Sequence, residues 1–385
     1  MAEPRSKLSS LVSHFESLTF ESLTDPRALK ARKHLVTDVM AIAVCAILCG
    51  SDGPTAMHRW AVSRFDWLKQ FLLLPNGIPS RDCIRRVLMA VNPADFQRCF
   101  EAWIRSTVIP LLDGTVQQVA IDVKTLRRAH NSRQDLDPLH VVSAWATELG
   151  LSLGQVATGD KPDEISGIQA VLKVLDLPHS LITLDALGCQ KEFVNAIVEG
   201  GGRYVIAIKA NQPKLFSAVS ELCEERLDQD LEELRYSIHD TVDLAHGRID
   251  ERSYFVTKVP HTFALRKEWP SIRAVGYAVR YTTHADGTES EQVRYYILSD
   301  EMSASRFAEA IRGHWQIEAM HWVLDVTFRE DQTRSADRSL ANNLSWLRRF
   351  AITMLRRHPL KDSLRGKMQY CMFNTSFLSE VLAHQ

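Results

Sequence analysis

Two stretches decide the fold: VQQVAIDVKTLRR at 116–128 and LITLDALGCQ at 181–190. Each is a short apolar, β-branched run that ends at an aspartate, Asp122 in the first and Asp185 in the second. A run of that length and composition reads as a strand buried on both faces. A carboxylate at its C-terminal end would project from the sheet towards a crevice, where open α/β sheets hold their ligands. Either aspartate alone is equally well read as a residue that starts a turn. Two together, on strands expected to be neighbours, suggest a paired acidic site.

Further runs of the same kind surround these two. LHVVSAWAT (139–147) and LSLGQVAT (151–158) follow the first aspartate across tight polar turns, and RYVIAIK (203–209) follows the second. Helical patterns fall between them, EISGIQAVLKVLDL at 164–177 and QKEFVNAIVEGG at 190–201. Three successive strands followed by alternating helix and strand predict a mixed α/β sheet, begun as a meander and completed by crossovers. A charged helix is expected over 213–235, then a β-rich insertion at about 240–300, then helices again over 303–358. Upstream, residues 25–105 show apolar positions every three or four residues, broken at GSDGP (50–54) and PNGIPS (75–80), with Ser80 placed as an N-cap. The expected organisation is an all-helical N-terminal module at 1–112, a catalytic domain at 113–358 and a C-terminal tail at 359–385.

Composition narrows the function classes. The chain has 385 residues, 46 Lys+Arg against 47 Asp+Glu, and 45% hydrophobic residues, which are proportions of a globular protein and not of a disordered tail or a collagen-like repeat. A net charge of -1 gives no global sign of a nucleic-acid partner, so such a partner must be argued from local clusters. Seven cysteines without a C-x-x-C pair fit a reduced, intracellular protein. The most apolar stretch, VMAIAVCAILCG at 39–50, is too short for a membrane span of about 20 residues, and MAEPRSKLSS carries no secretory-type run. No membrane or export role is expected.

Paired carboxylates repel one another unless a cation lies between them, which makes such a pair a natural Mg²⁺ or Mn²⁺ site in need of a third ligand. RGHWQIEAMHWVLDVTFRED at 312–331 offers one, because His314, Glu318, His321 and Asp325 share one helical face. That face is equally readable as the solvated side of an amphipathic helix. A zinc set of His314, Glu318 and His321 lacks the H-E-x-x-H spacing. Glu330 and Asp331 read as loop charges, and Trp315 and Trp322 as core residues beside Ile311.

Together these segments resemble the ISAs-type insertion-sequence DDE transposases, the family that includes the H-repeat-associated proteins. The resemblance runs through TDPRALKARKHLVTDVMAIAVCAILCG, LPNGIPSRDCIRRVL, AIDVKTLRR, LHVVSAWATELGLSLGQ, DKPDEI, TLDALGCQ, YVIAIKANQPKL, HGRIDER, RYYILSD and HWQIEAMHWVLDVTFREDQTR, in that order. It implies a ribonuclease-H-like core in which Asp122, Asp185 and Glu318 are the catalytic, metal-holding acids. It also implies two Mg²⁺ ions, replaceable by Mn²⁺, and cleavage and strand transfer of double-stranded DNA at the ends of an insertion sequence. Lys124, Arg127, Arg128, Arg133, Lys209, Arg348 and Arg349 are then candidate phosphate contacts, and His314 a residue orienting Glu318 or DNA. Glu164 is a candidate carboxylate behind the site. A DNA-bound homodimer in the cytoplasm, associated with the nucleoid, is expected.

The chain departs from the family pattern beside the expected acids. Val123 stands in place of Gly, Pro162 and Asp163 in place of Ser and Asn, and Ala319 in place of Asn. These departures keep open an alternative, a catalytically impaired relative that still binds DNA. A third reading, a metal-dependent nuclease without strand transfer, would use the same acids.

Overall fold

The computed structural model describes residues 20, 23–28, 30, 32–107, 117–129, 137–158, 164–175, 177–227, 238–245 and 247–383. The expected boundary at 112–113, Arg133, Pro162 and Asp163 lie outside the described residues. The chain begins with helices α1 (Val36–Leu48), α2 (Pro54–Ser63), α3 (Phe65–Leu68), α4 (Arg81–Ala90) and α5 (Pro93–Thr107). The Ser80 hydroxyl accepts from the Cys83 N–H at 3.2 Å and caps α4 as the sequence suggests.

The sheet follows: β1 (Gln117–Leu126), β2 (Leu139–Ala146) and β3 (Leu151–Ala157), then α6 (Glu164–Val174), β4 (Ser180–Leu184), α7 (Lys191–Glu199), β5 (Arg203–Ile208) and α8 (Pro213–Leu227). Strands β6 (Ile238–Ala245), β7 (Arg248–Lys258), β8 (Ala274–His284) and β9 (Glu289–Leu298) come next. The chain closes with α9 (Ala304–Val326), α10 (Arg338–Arg357), α11 (Leu364–Phe373) and α12 (Thr375–Ala383). Residues 359–385, expected as a tail, thus contain two helices.

The nine strands among the described residues join one sheet in the order β3-β2-β1-β4-β5-β9-β8-β7-β6. The first five form a ribonuclease-H-like half, in which β1, β4 and β5 run parallel, β2 runs antiparallel to β1, and β3, antiparallel to β2, runs in the direction of β1. The β-rich insertion is an antiparallel meander that extends the same sheet, because β9 pairs with β5 from Val205↔Leu298 to Ile208↔Tyr295.

Period-two alternation sorts the strand residues between two layers. Val119, Ile121, Ile182, Leu184, Tyr204 and Ile206 face a core closed by α6, α7 and α8. On the other face, Leu181 and Val205 pack with Phe307 and Ile311 of α9, while Ala120 and Trp145 join Trp346 and Phe350 of α10. The N-terminal helices share that last core. Phe100 and Trp103 of α5 pack edge-to-face with Phe350 at centroid distances of 5.5 and 4.9 Å. The buried Asn343 carboxamide donates to the carbonyls of Leu88 and Val91 at 2.8 and 2.9 Å. The helical module and the ribonuclease-H-like half are therefore packed as one body around α10.

Candidate active site

Asp122 and Asp185 are brought together by strand register. Parallel pairing of β1 with β4 ends at Ile121↔Leu184, so the two aspartates are the next residues on neighbouring strands. Asp122 lies within β1 and not at its end, since β1 runs on to Leu126 paired with β2. The Asp122 Oδ1 accepts from the Val123 N–H at 2.8 Å. Asp185 ends its strand and caps a 3-10 turn, its Oδ1 accepting from Leu187 and Gly188 N–H at 3.1 and 3.4 Å.

Helix α9 runs along β1 and supplies the third acid. Gln118 donates from Nε2 to the Ala310 carbonyl at 2.6 Å, Asp122 Oδ2 lies 3.5 Å from His321 Nδ1, and Lys124 Nζ donates to Asp325 Oδ1 at 2.7 Å. Six strand steps at about 3.3 Å and fifteen helix steps at about 1.5 Å both span roughly 20 Å, so the two periods stay matched over the whole contact. Gly313 allows the close approach, because a methyl group there would collide with the Gln118 carboxamide. His314 Nδ1 meets Thr183 Oγ1 at 3.0 Å and pins α9 to β4. Asp185 follows Thr183 by two strand residues and Glu318 follows His314 by one helical turn, each a step of about 6 Å in the same direction. Glu318, Asp185 and His314 accordingly line one cavity with Lys209, Arg294 and Trp315.

The carboxylates feel one another. Burial, together with the charges of Asp185, Glu318 and Glu164, pushes Asp122 up to about 7 in spite of its bond from Val123. Glu318 is raised by burial and by Asp185, with Arg294 opposing. His321 and His314 are pushed down to about 3 and about 4, chiefly by burial, so both imidazoles are neutral at pH 7. Hard oxygen donors that repel one another suit a divalent cation. As the side chains stand, among the described residues no three His, Cys, Asp or Glu groups are close enough to hold one ion. Asp122 and Asp185 each accept backbone N–H groups through Oδ1.

Several expected phosphate contacts are structural instead. Lys124 is buried, with Asp325, Asp331 and Glu330 at 2.7, 3.3 and 3.9 Å. It points to the same side as Asp122 and ties β1 to the end of α9. Arg348 and Arg349 are 2% and 0% exposed and lie 3.9 and 3.3 Å from Glu330 Oε1, so they cannot reach a DNA surface. Nearby, Arg356 and Arg357 cover the rings of Trp145 and Trp103. Glu330, taken in the sequence as a loop charge, is buried as the centre of this network. Arg127, Arg128 and Lys209 are exposed, with Arg127 3.6 Å from Asp331. Glu164 faces His140 at 3.7 Å and contributes charge to Asp122. Trp315 and Trp322, expected in the core, are 39% and 62% exposed.

Sequence reasoning missed Arg294 and Gln118. Arg294 sits in an ordinary strand pattern, and Gln118 in an apolar strand; neither carries a local signal.

Comparison with known proteins agrees with this geometry. Residues 109–355 match the transposase DDE domain family and residues 18–104 the DDE_Tnp_1-associated family. The chain is 34% identical over 356 residues to "Putative transposase YncI" of Escherichia coli O157:H7, covering 91% of this chain and 90% of that protein. It is 34% identical over 360 residues to "H repeat-associated putative transposase YhhI" of Escherichia coli strain K12, covering 91% and 93%. A protein of Xanthobacter autotrophicus, "Uncharacterized protein in dhlA 3'region", is 33% identical over 281 residues, covering 73% and 92%. With its two strand-borne aspartates, its helix-borne glutamate and these matches, the chain belongs to the DDE transposase family.

Proposed function

We propose that this protein cuts and joins double-stranded DNA at the ends of an insertion sequence, using Asp122, Asp185 and Glu318 to hold divalent cations. The observation that carries this is the adjacency of Asp122 and Asp185 on paired parallel strands, with Glu318 one helical turn past the His314–Thr183 contact. Mg²⁺ or Mn²⁺, when bound, would stabilise the attacking and leaving oxygens of a phosphoryl displacement. The remaining work falls to the chain. Half-buried, neutral His314 fixes the helix that bears Glu318, and Lys124 with Asp325 fixes its far end against β1. Lys209 and Arg294 line the cavity beside the acids, where their charge favours a phosphate. Arg127 and Arg128 extend positive charge past the end of β1.

Val123 does not speak for an impaired enzyme. Its side chain packs with the core on the α6–α8 face, away from the α9 side where Asp122 meets His321. Ala319 is exposed on α9. Joining two element ends calls for two active sites, so a DNA-bound homodimer working at the nucleoid, in the cytoplasm, is part of this reading.

The test is a plasmid carrying the element's terminal repeats, incubated with nuclease-free protein and Mg²⁺. Wild type should give both cut and joined products. Asp122→Asn, Asp185→Asn and Glu318→Gln should each lose about 10²–10³-fold, the range for removing a group that stabilises charge in the transition state. Cleavage that survives these changes in folded protein would refute the assignment. Cut product without joined product would mark a nuclease alone.

A further inference from the structure

Beside the cavity of the carboxylates, about 270 Å³, lies a second of about 220 Å³ between α9 and the face of β7, β8 and β9. The two share Gln292, Arg294, Tyr296, Ile311 and Trp315, so they form one trough. The second part is walled by Arg252, Arg280, Arg294 and Arg312. Strand register sets Arg252 directly opposite Arg280, a like-charge cross-strand pair that is unfavourable without a compensating anion.

The local carboxylates do not balance this charge. Asp243 serves both Arg252 and Arg312, the latter at 3.0 Å. Asp250 lies 2.8 Å from Arg252, 3.2 Å from Arg248 and 4.0 Å from Arg280. Two acids thus face four guanidinium groups, Arg294 left aside. Arg280 Nε is a buried donor without a hydrogen-bond partner among the described residues. Arg294 lies over the Trp315 ring at 4.6 Å and meets Gln292 Oε1 at 3.3 Å, and no carboxylate contacts it as an ion pair among the described residues.

We propose that this arginine-walled cavity is a phosphate subsite, filled by the backbone of the DNA strand that leaves the carboxylates and passes over β7–β9. Guanidinium forks match phosphate oxygens and keep their charge when partly buried. The inference rests on the DNA-cutting reading above, and it assigns the β-rich extension of the sheet the task of holding the strand next to the scissile bond.

The test is binding without catalysis: fluorescence anisotropy of a labelled DNA duplex with a single-stranded tail, in EDTA, titrated at several salt concentrations. Each phosphate contact contributes about 0.7–0.9 to the slope of log K against log salt. Arg280→Gln and Arg312→Gln should each weaken binding several-fold and lower the slope by about one, whereas Arg280→Lys, which keeps the charge, should keep the slope. Unchanged affinity and slope in both glutamine variants would overturn the subsite and leave the catalytic reading standing. A uniform loss of affinity with an unchanged slope would also overturn it, since that marks a merely structural arginine. Failure of the wild-type protein to bind DNA would remove the reading on which the inference rests.

Discussion

Replacing Asp122 by Asn should make the metal-free protein more stable at alkaline pH. Folding raises the Asp122 carboxyl from 3.8 to about 7 by burying it and setting it beside Asp185, Glu318 and Glu164. Between those two values the native state holds a proton that the unfolded chain has released, so stability falls as pH rises. The penalty is absent below about pH 4 and complete above about pH 7. A shift of roughly three units corresponds to a ceiling of about 4 kcal/mol. The carboxylate is a quarter exposed, 25%, and shares its repulsion with two other acids. We therefore expect about 1–3 kcal/mol at pH 8. Asn carries no such charge and can still accept the Val123 N–H. Thermal unfolding in EDTA should give a higher melting temperature for Asp122→Asn than for wild type at pH 8, and converging values at pH 4. An Asn variant that is no more stable at pH 8, or whose advantage persists on acidification, would show that the three acids do not burden one another.

Other outcomes follow from the same contacts. Saturating Mn²⁺ should raise the melting temperature of wild type and not that of Asp185→Asn, since a ligand stabilises only the fold that binds it; equal shifts in both would argue against cation binding at Asp185. Glu330→Gln should cost about 3–5 kcal/mol in urea unfolding, because Arg348 and Arg349 would stay buried with no full counter-charge at 3.9 and 3.3 Å. Gly313→Ala should cost about 1–3 kcal/mol, the usual range for overpacking, through its collision with Gln118. Trp322→Ala, at a position 62% exposed, should change stability by no more than about 0.5 kcal/mol.

The part of the fold legible in the sequence was the part governed by local periodicity. Apolar runs ending at Asp122 and Asp185 read directly as neighbouring strands, and Ser80 as a cap. The helical face of His314, Glu318, His321 and Asp325 was legible for the same reason, and three of its members meet β1 or β4. The sense of a charge was not legible. Arg348, Arg349 and Lys124 look in sequence like any solvated bases, and only Glu330, distant from Lys124 in the chain, shows that they are buried as a network. Trp315 and Trp322 misled for the opposite cause. Apolar spacing marks a helix stripe, but it does not tell whether a neighbouring element covers that stripe.

Helix α10 has a consequence for how the protein is made. The apolar α1 and the aromatic residues of α5 leave the ribosome early, yet their packing partners Trp346 and Phe350 emerge some 250 residues later. A copy of the gene interrupted upstream of α10 would yield a chain in which Phe100 and Trp103 lack the rings they pack against, leaving that surface open to proteases and chaperones.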